Sequence, residues 1–151
     1  MGGSILGNRV LRKEDPKFLT SGGVYVDDLL DEPALQGALH VTYVRSSVAH
    51  GHITSIDTAD ALALPGIVAV FTGKDLDLQE LPSAFNPAAT RTLLAIDKVR
   101  YVGEPIAAIV SATREQGEDA IDAVIVDYDV LPALIDLEEA MASTTLLYEA
   151  C

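Results

Sequence analysis

The sequence predicts an α+β fold in which short helices pack on a mixed sheet. Three observations carry that expectation. Runs rich in apolar and β-branched residues recur at 38–46 ("ALHVTYVRS"), 67–72 ("IVAVFT") and 105–112 ("PIAAIVSA"), the composition that strands favour. Alanine-rich stretches with helical spacing lie at 59–66 ("ADALALPG") and after Thr113. An outline of strand, alanine-rich helix, strand and "LP" fits 106–134 well and 39–70 loosely, which suits helices layered on a sheet.

Residues 1–22 mix glycine, basic residues and Pro16 and read as an extended N-terminal arm, with a short helical turn near "EDPKFL" (14–19). Gly22 and Gly23 mark a turn, Val24 to Val26 a short strand, and "LLDEPALQG" (29–37) a connector. In "HITSIDT" (52–58) strict alternation puts Ile53, Ser55 and Asp57 on one face and His52, Thr54 and Ile56 on the other. Pro65 and Gly66 stop the helix that follows. "IVAVFT" is continuous enough to be a buried strand.

Residues 73–94 are the least regular, with a turn of helix at "KDL" and then a surface loop. A loop of that length in a compact domain is often a contact or functional element. Strands "KVRYV" (98–102) and "PIAAIVSA" flank the turn Gly103-Glu104-Pro105. Pro105 fixes its own φ and keeps Glu104 out of the helical region, so the chain turns or extends there. Thr113 and Gln116 have capping-box spacing, and Gly117, Ala120, Ile121 and Val124 form the inward stripe of the helix they open. "AVIVDYDV" (123–130) is a strand, and Asp136 caps a last helix, "LEEAMA" (137–142). The domain is therefore expected to span 23–142, with 143–151 a tail that reads as the truncated start of a next domain.

At 151 residues the chain is about one domain and long enough to bury a core. With 49% hydrophobic and 22% charged residues it reads as soluble and globular. Ten basic against 23 acidic residues leave a formal charge of −13. Such a chain is repelled by phosphate backbones and anionic lipid surfaces, which argues against nucleic-acid partners. The longest apolar stretch, "ALALPGIVAVF" (61–71), is too short for a bilayer and is broken by Pro65 and Gly66, so no membrane insertion is expected. The N-terminus lacks the apolar core of a secretory signal, and the one cysteine, Cys151, cannot form an internal disulfide. A cytoplasmic setting fits both.

The search for chemistry yields little. His50 and His52 would share a face on a regular strand and could grip a metal, but a bound ion takes three or four ligands. His40 is ten residues away, so ordinary backbone bonding suits the pair better. No serine sits in G-x-S-x-G, and no glycine-rich phosphate loop is present. Adjacent carboxylates such as Asp27–Asp28 and Glu138–Glu139 diverge and read as solvated surface. No catalytic, cofactor-binding or metal-ligating residue is assigned. Glu104 alone among the carboxylates has a constrained backbone. Gly103, Glu104 and Pro105 are the candidate interface or channel turn, set against the plainer reading of a turn that only aims one strand into the next. Arg45 poses the same contest, with a surface role ahead.

Three segments together resemble a known family: "RKEDPKFLTSGGVYVDDL", "VRSSVAHGHITSIDTADALALPGIVAVFTGKDL" and "DKVRYVGEPIAAIVSATREQGEDAIDAVIVDYDVLPALID". They look like the α/β hammerhead domain that opens the molybdenum-binding large subunit of the xanthine dehydrogenase, aldehyde oxidase and carbon monoxide dehydrogenase family. The likeness spans roughly residues 9–140, and the opening "RKEDP" looks nearer to the carbon monoxide dehydrogenase type than to the fused xanthine oxidases. The family pattern V-R-S-P-x-A-H-A-x-I is matched from Val44 to Ile53, with Ser47 in place of proline and Gly51 in place of alanine. The pattern V-G-E/Q-P-[VI]-A is matched from Val102 to Ala107. The resemblance implies an oxidoreductase in which water supplies oxygen at a molybdenum centre and electrons leave through iron–sulfur clusters to a flavin. It also implies that the molybdopterin-binding segments and the catalytic glutamate lie in several hundred further residues. This piece would then bind no cofactor and be inactive alone. Molybdopterin, 2Fe-2S and FAD would belong to the complete complex. Its partners would be the remaining molybdenum-binding domain, an FAD subunit and an iron–sulfur subunit. On this reading the chain packs against the cofactor domains and lines substrate access, with 73–94 as a second contact element. The alternative is a free-standing interaction module that reuses the hammerhead fold.

Overall fold

The computed structural model describes residues 12–20, 22, 23 and 25–148. The chain divides into two compact units, Met1–Ala38 and Leu39–Cys151. In the first unit the expected helical turn is α1 (Asp15–Thr20). Of the strand expected at 24–26, the described Tyr25 and Val26 form none. Val24 lies outside the described residues, and Val26–Asp31 is a 3-10 helix. The Tyr25 amide donates to Asp28 Oδ2 at 2.8 Å. This local side-chain acceptor takes the place of a ladder partner and turns the chain. A second 3-10 turn, Pro33–Leu35, starts on the proline whose missing N–H costs nothing there.

The second unit holds eight strands: β1 (His40–Arg45), β2 (Gly51–Asp57), β3 (Ile67–Thr72), β4 (Leu81–Pro82), β5 (Thr90–Arg91), β6 (Lys98–Val99), β7 (Pro105–Ser111) and β8 (Ile125–Val130). Among the described residues of this unit, α2 (Ala59–Leu62) and α3 (Arg114–Asp119) join strands and α4 (Leu137–Ala142) follows β8. One sheet runs β1-β7-β3, a second β6-β2-β8, and β4 pairs with β5. Every pairing among the described residues is antiparallel. Helices on short antiparallel sheets make the α+β class of the sequence reading.

The two halves with matching outlines turn out to interlock. In each half a helix carries the chain from one sheet to the other, β2–α2–β3 in the first and β7–α3–β8 in the second. The first strand of each half pairs with the second strand of the other, β2 with β8 and β7 with β3.

Strand β7 sits between β1 and β3 and buries Ile106, Ala107, Ile109 and Ser111. Ala107 and Ile109 join Val44, Ala61, Ala120 and Val124 in one core cluster. Ile106 joins Ile53, Ala95 and Val99 in another. Ile56 and Val126 pack against both clusters. That position for Ile56 breaks the strict alternation expected of β2. Ile53 pairs with Tyr128 and Ser55 with Asp127, so Thr54 is an extra residue without a partner on β8. This bulge shifts the phase by one and turns both Ile53 and Ile56 inward.

Helix α3 carries the expected capping box. Thr113 Oγ1 accepts from the Gln116 amide at 3.3 Å, and Gln116 Oε1 accepts from the Thr113 amide at 3.1 Å. The helix ends at Asp119, earlier than the stripe suggested, and Ile121–Ala123 is a 3-10 turn. Gly117, Ala120 and Val124 are nonetheless buried. Asp136 caps α4 as expected, accepting from the amides of Glu138 and Glu139 at 2.9 and 3.0 Å.

Gly117 is where α3 comes closest to the sheet: a Cβ there would lie 2.5 Å from Thr42 Oγ1 and 2.8 Å from Ser111 Oγ. Both hydroxyl-bearing side chains are buried. Gly117→Ala is therefore expected to lower stability by about 1–3 kcal/mol through overpacking, despite the better helix propensity of alanine. Chemical denaturation against the wild type measures it; an unchanged midpoint would contradict this packing.

Candidate functional site

The turn singled out from the sequence is stitched into its own domain. Gly103 has φ +90°, a left-handed conformation that favours glycine. Its amide donates to Ser46 O at 2.8 Å, and the Ser46 amide donates to Glu104 O at 2.8 Å. Arg45 Nη1 donates to Gly103 O at 2.9 Å, and its guanidinium lies 5.7 Å from the centre of the Tyr43 ring. The Pro105 carbonyl accepts from the Ala95 amide at 2.8 Å.

Glu104 is 5% exposed, and its Oε2 accepts from the Arg100 amide at 2.6 Å. The carboxylate thus points into the fold, where a charge-assisted bond closes the turn. What the turn offers outward is Tyr101 and Val102, the latter 64% exposed. Arg45, read as a plain surface residue, braces the turn instead. Sequence reasoning missed that contact because nothing local in "VRSS" announces a bond to a carbonyl 58 positions away.

Tyr101 and Val102 form one wall of a cavity of about 470 Å³. Other walls come from Leu134, Ile135 and Leu147, with His50 also on the lining. His50 is 3% exposed, and its Nδ1 lies 2.9 Å from Pro132 O. The Leu131 amide donates to His50 O at 2.9 Å, so His50 clasps this segment through side chain and backbone. This is the ordinary backbone bonding expected of it. His50 precedes β2 while His52 lies on it, exposed, so the regular strand that would align the two rings is absent.

The tail, read from the sequence as the start of a next domain, is tied down through residues 146–148. Lys98 Nζ donates to Leu146 O and Arg100 Nε to Leu147 O, both at 3.0 Å. The Arg100 guanidinium lies 4.8 Å from the centre of the Tyr148 ring. Within 73–94, the turn at "KDL" is non-helical. Asp75 Oδ2 accepts from the Thr72 amide and hydroxyl, both at 2.7 Å. The hydroxyl bond first, then the amide bond, holds the Asp75 carboxyl below its ordinary range. Beyond it lie the two-residue pair β4–β5 and a fully exposed Phe85.

These residues do not fit the cofactors that the resemblance implies. An iron–sulfur cluster of the 2Fe-2S type takes four protein ligands, usually thiolates, and the chain has one cysteine. Among the described residues no three His, Cys, Asp or Glu side chains gather to hold a metal. The cavity beside His50 is walled mainly by aliphatic side chains and offers no cradle of donors for a phosphate-bearing pterin.

The family pattern described as "Aldehyde oxidase and xanthine dehydrogenase, a/b hammerhead domain" matches residues 20–132. The chain belongs to that family. It is 37% identical over 139 residues to the nicotine 6-hydroxylase large subunit of Paenarthrobacter nicotinovorans, a match covering 88% of this chain and 16% of that protein. It is 40% identical over 139 residues to the carbon monoxide dehydrogenase large chain of Afipia carboxidovorans, covering 90% and 16%. Among solved structures, quinoline 2-oxidoreductase from Pseudomonas putida 86 superposes with a TM-score of 0.76 at 37% identity, over 93% of this chain and 18% of that one. A Cu,Mo-CO dehydrogenase in its carbon monoxide reduced state gives 0.75 at 41% identity, over 89% and 17%. The hammerhead chain thus spans less than a fifth of the length of these relatives.

Two predictions follow from the geometry of this hammerhead domain. Glu104→Ala leaves the part-buried Arg100 amide without its acceptor and should cost about 1–3 kcal/mol, whereas Glu104→Gln keeps an acceptor and should cost less, about 0.5–1 kcal/mol. Urea denaturation separates them, and equal losses would mean the Arg100 bond is not what matters. A lowered aspartate pKa makes its bonds fully present above the ordinary aspartate range and lost as pH falls through the lowered value. The Thr72 amide resonance should therefore titrate in that acidic window, and Asp75→Asn should flatten the curve.

Proposed function

We propose that this chain serves as the N-terminal structural domain of a molybdenum hydroxylase large subunit. It packs against the molybdenum-binding remainder of that subunit and is inactive alone. Residues around the Gly103-Glu104-Pro105 turn and in the 73–94 loop make contacts there and help wall the passage for substrate. The complete assembly holds molybdopterin, 2Fe-2S and FAD, the last two on partner subunits, in a cytoplasmic setting. The observation that carries this reading is the match of residues 20–132 to a domain of much larger oxidoreductase subunits. Exposed apolar side chains on the candidate elements, Val102 and Phe85 among them, agree with a packing role. Patches of this kind mark surfaces that a partner covers.

The experiment is a graft. The stretch of the Afipia carboxidovorans large chain that matches this sequence is replaced by it, and the purified complex is assayed for subunit assembly and molybdenum content. Assembly with molybdenum retained is expected, and the 151-residue chain by itself should show neither turnover nor bound molybdenum. A graft that fails to assemble, or turnover by the isolated chain, overturns the proposal.

A further inference from the structure

The imidazole of His50 has one nitrogen engaged and one idle. Its Nδ1 faces the Pro132 carbonyl, 2.9 Å away. A carbonyl only accepts, so Nδ1 carries the hydrogen, and in the neutral ring Nε2 is then a bare acceptor. That Nε2 is buried and has no hydrogen-bond partner. Buried polar atoms in finished proteins are nearly always partnered. His50 also contributes to the lining of an apolar cavity, so an orphan acceptor lies on a residue that borders it.

The cavity narrows the choice of what covers it. Its volume of about 470 Å³ accommodates a few side chains. It is apolar except for His50, Arg100 and a few hydroxyls, and Arg100 is already spent on Leu147 O and the Tyr148 ring. Around the mouth, Tyr101, Val102, Leu146 and Leu147 are exposed, and Ile135 is 96% exposed. On a chain of charge −13, this mostly apolar face, whose Arg100 already meets carbonyl and ring partners, suits a neutral, apolar stretch of polypeptide. In the relatives, more than four-fifths of the subunit lies outside the matched stretch, so there is polypeptide to cover it.

We propose that the cavity between the Tyr101–Val102 turn and the Pro132–Ile135 segment is a docking site for an apolar segment of the remaining large-subunit polypeptide. A backbone N–H or hydroxyl of that segment donates to His50 Nε2. The inference rests on the packing role proposed above and adds the place and the bond. Covering the face also moves Val102 and Ile135 out of water, and because Nε2 is closed off from solvent in the domain alone, the bond requires the side chains over it to move aside as the segment seats.

Two variants in the grafted complex test it. In His50→Asn the amide nitrogen replaces Nδ1 and keeps the bond to Pro132 O, while the Nε2 acceptor is removed. Val102→Asp puts a charge on the exposed rim, where folding does not depend on it. Each isolated chain should melt within a few degrees of the wild type. In the complex, His50→Asn should weaken retention of the domain roughly tenfold and Val102→Asp at least as much, read as the urea concentration or dilution at which the assembly dissociates. If the wild-type graft assembles and both variants hold as firmly, the docking site is wrong while the packing role stands. If the wild-type graft does not assemble, both readings fall. If only Val102→Asp weakens the assembly, the face is a contact but the His50 bond is refuted.

Discussion

Strand β7 is the central strand of its sheet and puts residues into both core clusters, and the rest of the domain is arranged around that fact. Ile106 is committed to one cluster, Ala107 and Ile109 to the other, and β1 and β3 take its two edges. A strand so enclosed needs an entry that does not waste a backbone group. The Gly103-Glu104-Pro105 turn provides it: Gly103 takes the left-handed conformation, Pro105 has no N–H to satisfy, and the Glu104 carboxylate occupies the Arg100 amide. Breaking that entry would shift the register of β7 and with it both clusters, since a one-residue slip reverses every side chain.

Much of this was legible in the sequence because it is local. The capping pairs Thr113–Gln116 and Asp136–Glu139 declare themselves by spacing, and the run "PIAAIVSA" declares a strand. The run "IVAVFT", read as a buried strand, instead forms the edge strand β3, with Val68 56% and Phe71 37% exposed, because only β7 pairs with it. The helical arrest at Pro65-Gly66 follows from backbone restrictions alone. What was not legible depends on distant partners. The bulge at Thr54 exists only against β8, so no reading of "HITSIDT" by itself could place Ile56 with Ile53. Val26 has strand propensity, yet the bond between the Tyr25 amide and Asp28 overrode it. The roles of Arg45 and His50 come from carbonyls at Gly103 and Pro132, far along the chain.

The same contrast explains why the candidate site held a surprise. A carboxylate in a constrained turn reads equally well as an exposed recognition group or an internal brace. Burial decides it, and burial is a property of the packed domain. Once Glu104 is turned inward, the outward character of the turn passes to Tyr101 and Val102, two residues with no charge and no chemistry.

The interlocking of the two halves bears on how the chain is made. Neither sheet can close from sequence neighbours: β3 waits for β7, and β2 waits for β8. During synthesis on the ribosome the first ninety or so residues therefore emerge without their ladder partners. Long-range pairing of this kind slows folding and leaves strand edges open to other chains. The nascent polypeptide passes its period of greatest aggregation risk before Val130 has left the exit tunnel, and chaperone contact is most useful in that interval.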